Sequence, residues 1–453
     1  MTSGQDQDRN RPPVREQDPN QASRPSFGRR GVLGAAGAGL LAGGLLGGAG
    51  GFAGGRASAQ DATATDPLAR SHPLRGEHQA GITTPAQDYL FTAAYDVSAR
   101  DLDEVRRLFQ QWLVAAEQMS LGDLVGGQPL ADPQAVPRDT GEAWGYPPSS
   151  LTFTIGVGRS FFVSADGTDR FDIADRMPEA LAAGVPRFSG EALQADRSDG
   201  DLVVQACADD AQVAMHAIRN FTRIAIGTAT LRWTQIGYGR TSSTSTTQST
   251  PRNLFGFKDG TANLKAEDDS ADLDRHLWIS REDSGGEHFA TGSYLLMRKI
   301  RMQLETWDRL RLLEQQEIIG RDKRLGAPLS VSDPHSDQQE FTEPDLSARV
   351  DGTLAIPRDA HIRVVSAHAN HGARILRRGY NYTEGSDSLG RLDAGLFFLA
   401  YVRDPRESFF PILDRMVRRD ALEEYLRHVA SGMYAILPGV AEKDTMYGQA
   451  LLA

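Results

Sequence analysis

The segment Pro251-Arg252-Asn253-Leu254-Phe255-Gly256-Phe257-Lys258-Asp259-Gly260-Thr261-Ala262-Asn263 joins turn-forming residues to three large apolar side chains. Asp-Gly alone is an ordinary turn dipeptide. A turn built only for solvent has no use for Leu254, Phe255 and Phe257. The loop is therefore expected to pack inward and to hold Asp259 next to something buried, where a carboxylate can move protons. Downstream, Arg374-Ile375-Leu376-Arg377-Arg378-Gly379-Tyr380-Asn381-Tyr382 sets arginines inside an apolar and aromatic run. That suits a guanidinium directed at an anionic site. Histidines stand only at 72, 78, 216, 276, 288, 335, 361, 368, 371 and 428, with no HExxH spacing among them. His216 and His428 fall in expected helices. His361 opens the apolar run His-Ile-Arg-Val-Val, where a lone histidine is more often structural than a ligand.

The elements that must position these residues repeat. Residues 88–97 read as a strand, 101–116 as an amphipathic helix with apolar residues at i, i+3 and i+4, and 151–157 and 201–208 as strands. Residues 209–224 read as a helix capped by Asp209 or Asp210, and 230–238 as a strand. The order β-α-β-β-α-β is ferredoxin-like. A second copy is expected from strands at 293–302, 361–366 and 395–402, helices over 303–319 and 412–429, and a final segment at 432–437. The fold class is therefore α+β, two tandem βαββαβ units, expected in a dimeric α/β-barrel-like arrangement. Domains are expected at 81–245 and 246–453, after a linker at 60–80. Residues 241–250 form a Ser/Thr-rich loop, and 320–359 a polar insertion expected to run over the surface.

The chain has 453 residues, 40% of them hydrophobic and 24% charged, which excludes collagen-like, disordered and multi-span membrane classes. Its net charge of −11 argues against a nucleic-acid partner. The one cysteine, Cys207, excludes an internal disulfide, a Cys-rich zinc site and an iron–sulfur cluster. Any redox metal must be held by His, carboxylate or a prosthetic group. Residues 1–59 form a separate leader. Arg29-Arg30 follows Ser26-Phe27-Gly28, residues 31–55 carry no charge and 12 glycines, and Ala57-Ser58-Ala59 offers a small-residue cleavage site. The paired arginines resemble a twin-arginine export signal, an address read by a translocase. Twelve glycines make a membrane span a poor alternative.

Residues 256–260 resemble the GxxDG motif of dye-decolourising peroxidases. His361-Ile362-Arg363 with residues 375–380 resembles the haem-binding half of that family, and Phe397 to Pro405 its C-terminal strand. The similarity spans roughly residues 81–440. The leader and the RRGYNY run suit the exported subgroup, which includes the deferrochelatases of iron uptake. The resemblance implies haem b, with His361 as the proximal iron ligand. His368 and His371 are nearby competitors for that role. It implies Asp259 as distal acid–base residue and Arg377 as distal arginine. Gly260, Thr261, Ala262 and Asn263 would lie against the haem edge, and Leu396 and Phe398 would wall the distal pocket. Asp404 would accept from the other N–H of His361, or a backbone carbonyl would serve instead.

The implied reaction reduces hydrogen peroxide and oxidises organic donors, dyes or porphyrins by one-electron steps. The alternative is an exported carrier that releases iron from haem. Implied partners are peroxide, an organic donor or haem, the twin-arginine translocase, an iron-import system and a second copy of the chain. The implied location is the periplasm, cell envelope or exterior. A carboxylate titrates near pH ~4 in model peptides, so a carboxylate base implies activity in mildly acidic solution. Trp233, Tyr238, Trp278 and Trp307 are available for electron hopping, but none is assigned.

Overall fold

The computed structural model describes residues 67–127, 133–331 and 339–453. The leader lies outside the described residues. Among those described, no helix is long and apolar enough to cross a membrane.

The first half runs β1 (Tyr89–Val97), α1 (Leu102–Met119), β2 (Thr152–Gly158), β3 (Leu202–Ala208), α2 (Ala211–Ala225) and β4 (Ala229–Arg240). Asp101 caps α1 by accepting from the Glu104 amide at 2.9 Å, and Asp210 caps α2 through the Gln212 and Val213 amides. Trp112 of α1 is fully buried and donates its indole N–H to the Phe221 carbonyl of α2 at 3.0 Å.

The second half runs β5 (Ser293–Met302), α3 (Leu312–Ile319), β6 (Leu376–Arg377), β7 (Tyr380–Ser386), β8 (Leu392–Val402), α4 (Phe409–Arg419) and β9 (Leu426–Ile436). Each half makes an antiparallel sheet of ferredoxin-like order: β2-β3-β1-β4 in the first, β9-β5-β8-β7 in the second. The sheets join at both edges. Tyr434 of β9 pairs with Gly158 of β2, and Tyr238 of β4 pairs with Asn381 of β7. All eight junctions are antiparallel, so the strands close into one barrel, with the short β6 added on β8.

Side chains alternate across these strands. Phe397, Leu399 and Tyr401 of β8 pack inside the barrel with Leu90, Val203, Tyr380 and Tyr434. Leu396 and Phe398 face outward, as do Arg298, Ile300 and Met302 of β5. This outer face of the second sheet is the floor of the site described below.

Several sequence expectations are corrected. Residues 361–366 are not a strand; His361–Val364 is a short helix. The β-branched run suggested a strand, but Arg363 donates to the carbonyls of Ile356, Pro357 and Leu346 and holds the chain in a turn. The strand of the unit is instead β6 and β7. The helix expected over 412–429 ends at Arg419, because Asp420 is extended and caps the next turn at the Leu422 amide, after which β9 begins. The helix expected over 303–319 is broken after Trp307, whose ring turns inward against Phe255 at 4.3 Å. The insertion at 320–359 is not confined to the surface. Arg321 and Glu340 are buried, and residues 343–347 line a cavity. Residues 67–80 of the expected linker are packed: Gln79 is buried against the Ile155 and Leu437 carbonyls, and His78 stacks on Trp278 at 3.7 Å.

Candidate active site

A cavity of about 980 Å³ opens between the outer face of the second sheet and the segments that cover it. That volume lies within the range of roughly 300–1,000 Å³ used by cofactors and drug-sized ligands. The sheet contributes Ile300, Met302, Leu396 and Phe398; α4 contributes Phe409, Ile412, Leu413 and Met416. Apolar walls of this kind exclude water and strengthen any charge interaction between them.

One rim is the 251–263 loop. Asn253 and Phe257 exchange a backbone bond (N to O, 3.1 Å), and Gly256 N donates to Asn253 O at 2.9 Å. Phe255 and Phe257 are buried against Trp307, as the inward-packing argument required. Gly260 has φ +84°, and a β-carbon there would meet the Ser242 Cα at 2.9 Å, so only glycine fits. The loop thereby delivers Asp259 to the cavity wall.

Arg377 Nη1 donates to Asp259 Oδ1 at 2.8 Å, and Asn253 Nδ2 donates to Asp259 Oδ2 at 3.1 Å. Both carboxylate oxygens therefore accept from fixed donors. The amide of Asn253 is itself oriented, because its Oδ1 accepts from Phe255 N at 3.1 Å. Asn263 fixes the strand end that carries the arginine: its Oδ1 accepts from Arg377 N at 2.7 Å and its Nδ2 donates to Arg377 O at 2.9 Å. The neighbouring Arg378 goes to the other face. It is fully buried in the barrel and donates to the Thr84 carbonyl and to Gln87.

His361 reaches the same cavity from its short helix. Its Nδ1 lies 2.7 Å from Oδ2 of Asp420, whose side chain is fully buried. Burial opposes a charge on the imidazole, but the charge and hydrogen bond of Asp420 outweigh it, so its pKa is raised. With Nδ1 committed, Nε2 is the nitrogen left for a ligand. A planar macrocycle bearing a metal suits this donor set: apolar walls, one neutral-capable imidazole nitrogen and a carboxylate–guanidinium couple in one cavity.

Of the residues singled out in the sequence, the cavity is lined by Asp259, Gly260, Thr261, Ala262, Asn263, His361, Arg377, Leu396 and Phe398. His368 also lines it, whereas His371 is not among the lining residues. Asp404 does not belong with them. Its carboxylate binds Arg406 at 2.7 Å, and the acceptor for His361 is Asp420. The sequence reading missed Asp420, Asn253 as a partner of Asp259, and the buried Arg321. An aspartate after Arg418-Arg419 can mark a helix break, but nothing in the sequence marks Asp420 as the partner of His361. Of the aromatic candidates for electron hopping, Trp307 is fully buried and Tyr238 is 39% exposed.

Comparison with known proteins gives consistent relatives. Family models for the N-terminal and C-terminal parts of Dyp-type peroxidases match residues 79–239 and 250–441. The deferrochelatase of Escherichia coli strain K12 is 34% identical over 439 residues, covering 96% of this chain and 99% of that protein. A DyP-type peroxidase from Streptomyces coelicolor is 37% identical with a TM-score of 0.76, covering 85% of this chain and 98% of that one. Ferric DtpA from Streptomyces lividans is 37% identical with a TM-score of 0.75, over 85% and 98% of the two chains.

Proposed function

Because this chain belongs to the DyP-type peroxidase family, we propose that it is a haem peroxidase. It reduces hydrogen peroxide and draws single electrons from organic donors. The observation that carries this reading is the meeting of His361 and the Asp259–Arg377 pair on one apolar-walled cavity.

His361 would hold haem through Nε2, and the haem would supply the redox-active iron for peroxide reduction. Asp420 keeps the imidazole oriented, and its charge makes Nε2 the stronger electron donor. Asp259 would take a proton from one oxygen of hydrogen peroxide and return it to the other, which would leave as water. Arg377 holds Oδ1 of Asp259 in place and offsets the negative charge that develops as the peroxide bond lengthens. Asn253 keeps Oδ2 turned to its position. Leu396 and Phe398 keep solvent away from the proton path. A Soret spectrum of the purified protein, before and after peroxide, tests the reading. A protein without a Soret band after haem reconstitution would refute it.

The kinship with deferrochelatases supports a second reading of the same site: an exported protein that takes iron from haem and leaves the porphyrin whole. Iron-free porphyrin among the products would support it, and an opened ring would count against it. The leader, with Arg29-Arg30 and Ala57-Ser58-Ala59, supports export of folded, cofactor-loaded protein through the twin-arginine translocase. Substituting both arginines by lysine should leave the protein in the cytoplasm. In this reading the partners are that translocase and an iron-import system.

A further inference from the structure

The histidine assigned to the iron stands on four residues of helix, His361–Val364. A single helical turn has no stability of its own, and its last carbonyls have no partner inside it. Side chains must hold it. Upstream, Arg363 grips the carbonyls of Leu346, Ile356 and Pro357. Downstream, the run from Ser366 to Gly372 turns back, with His371 at φ 56° and Gly372 at φ 85°. The turn brings the Asn370 amide against the helix end, where its Nδ2 donates to the carbonyls of Val364 and Ser366, both at 2.9 Å.

Asn370 is only 3% exposed, and the other end of its amide is also used: Oδ1 accepts from Nε of Arg415 at 3.1 Å. Arg415 lies on α4. Among the described residues no carboxylate pairs with it, whereas Arg418 on the same helix has Asp414 four positions away, the ordinary surface arrangement. Arg415 instead reaches a buried neutral amide in the loop beyond His361. The end of α4 meets the same segment twice more. Asp420 holds the imidazole at 2.7 Å, and the Ala421 amide donates to the Asp359 carbonyl at 3.0 Å. The three ties thus fall before the short helix, on it and after it.

We propose that Asn370 and Arg415 are positioning residues for the iron ligand. They latch the loop after His361 to the helix that ends in Asp420, so that the imidazole keeps its carboxylate partner while Nε2 is bound to iron. With the latch open, the Nδ1–Asp420 bond loosens, Nε2 becomes a weaker donor and the ligand releases iron more easily. The inference rests on the haem reading.

The test uses the haem-loaded full chain with Arg415→Gln, Arg415→Lys, Asn370→Ala and the double variant Asn370→Ala/Arg415→Gln. Arg418→Gln is the control. Three quantities are read: the iron–histidine stretching frequency of the ferrous protein by resonance Raman, the rate of haem transfer to a scavenging apoprotein, and Tm. Arg415→Gln should lower the stretching frequency towards that of Asp420→Asn and speed haem transfer roughly three- to tenfold, the worth of one hydrogen bond. Arg415→Lys, which keeps a donor, should recover part of both, and Arg418→Gln should change neither. Asn370→Ala should exceed Arg415→Gln, because it also frees two carbonyls, and adding Arg415→Gln to it should change nothing more. If Asn370→Ala does not fold, the Arg415 variants and their control decide alone. An Arg415→Gln protein with the wild-type frequency and transfer rate overturns the inference, whether or not its Tm falls, and leaves the haem reading standing. A wild type that binds no haem sinks both.

Discussion

Asp420 Oδ2 sits 2.7 Å from Nδ1 of His361, and the same carboxylate caps the turn that ends α4. One side chain thus sets both where the helix stops and how the imidazole faces. Asp420→Asn preserves the shape and removes the charge. Haem should then be held about 10–100-fold less tightly, as for other partners of metal-bound histidine. Transfer of haem to an excess of a haem-scavenging apoprotein measures this, and an unchanged transfer rate would show that Asp420 does not support the ligand.

Asp259→Asn and Arg377→Ala should both keep haem, because neither residue is the iron ligand in this reading. Reaction with peroxide should slow by roughly 10²–10⁴-fold in Asp259→Asn, the usual contribution of a positioned acid–base group. Stopped-flow spectroscopy at the Soret band follows that step. Loss of haem in either variant would instead assign the pair a structural role.

Asn253→Ala leaves Asp259 and Arg377 in place but frees Oδ2. The expected cost is smaller, about tenfold in the peroxide step, in line with one hydrogen bond to a charged group. The donor-dependent step should be unaffected, so a change confined to that step would count against a positioning role.

Away from the site, Asp139 ties together Val125, Gly141 and His216. It accepts from the Val125 and Gly141 amides at 2.7 and 2.6 Å and from His216 at 2.9 Å. Burial raises its proton affinity, but these donors outweigh it and hold the carboxyl below its usual range. The sign follows from the depressed folded-state value. This contribution is present above the unfolded carboxylate range near pH ~4, and is lost only as pH falls through the lower folded value. Asp139→Asn should lower the melting temperature at pH 6, and the gap from wild type should narrow below pH ~4. A gap that persists at pH 2 would exclude the charge as its origin.

Short-range pattern sufficed where a residue's role is local. The capped helices α1 and α2, the strands of the first half and the inward-packing 251–263 loop were all readable from spacing and turn chemistry. It failed where distant groups decide. Residues 361–366 look like a strand, yet carbonyls at 346, 356 and 357 hold Arg363 and bend the chain into a helix. Asp404 was the nearer guess for the partner of His361, but Asp420 lies 59 positions from the histidine, and nothing in the linear spacing distinguishes the two. Closure of the sheet agrees with the barrel-like class, but the residues that make it, Tyr434 with Gly158 and Tyr238 with Asn381, could not be read from local pattern.

That closure has a practical consequence. The two halves are stitched along two separate seams, so the covalent link through residues 241–292 is not what keeps them together. A molecule nicked there by a protease would still elute at its full size. It would fall into two fragments only in denaturant.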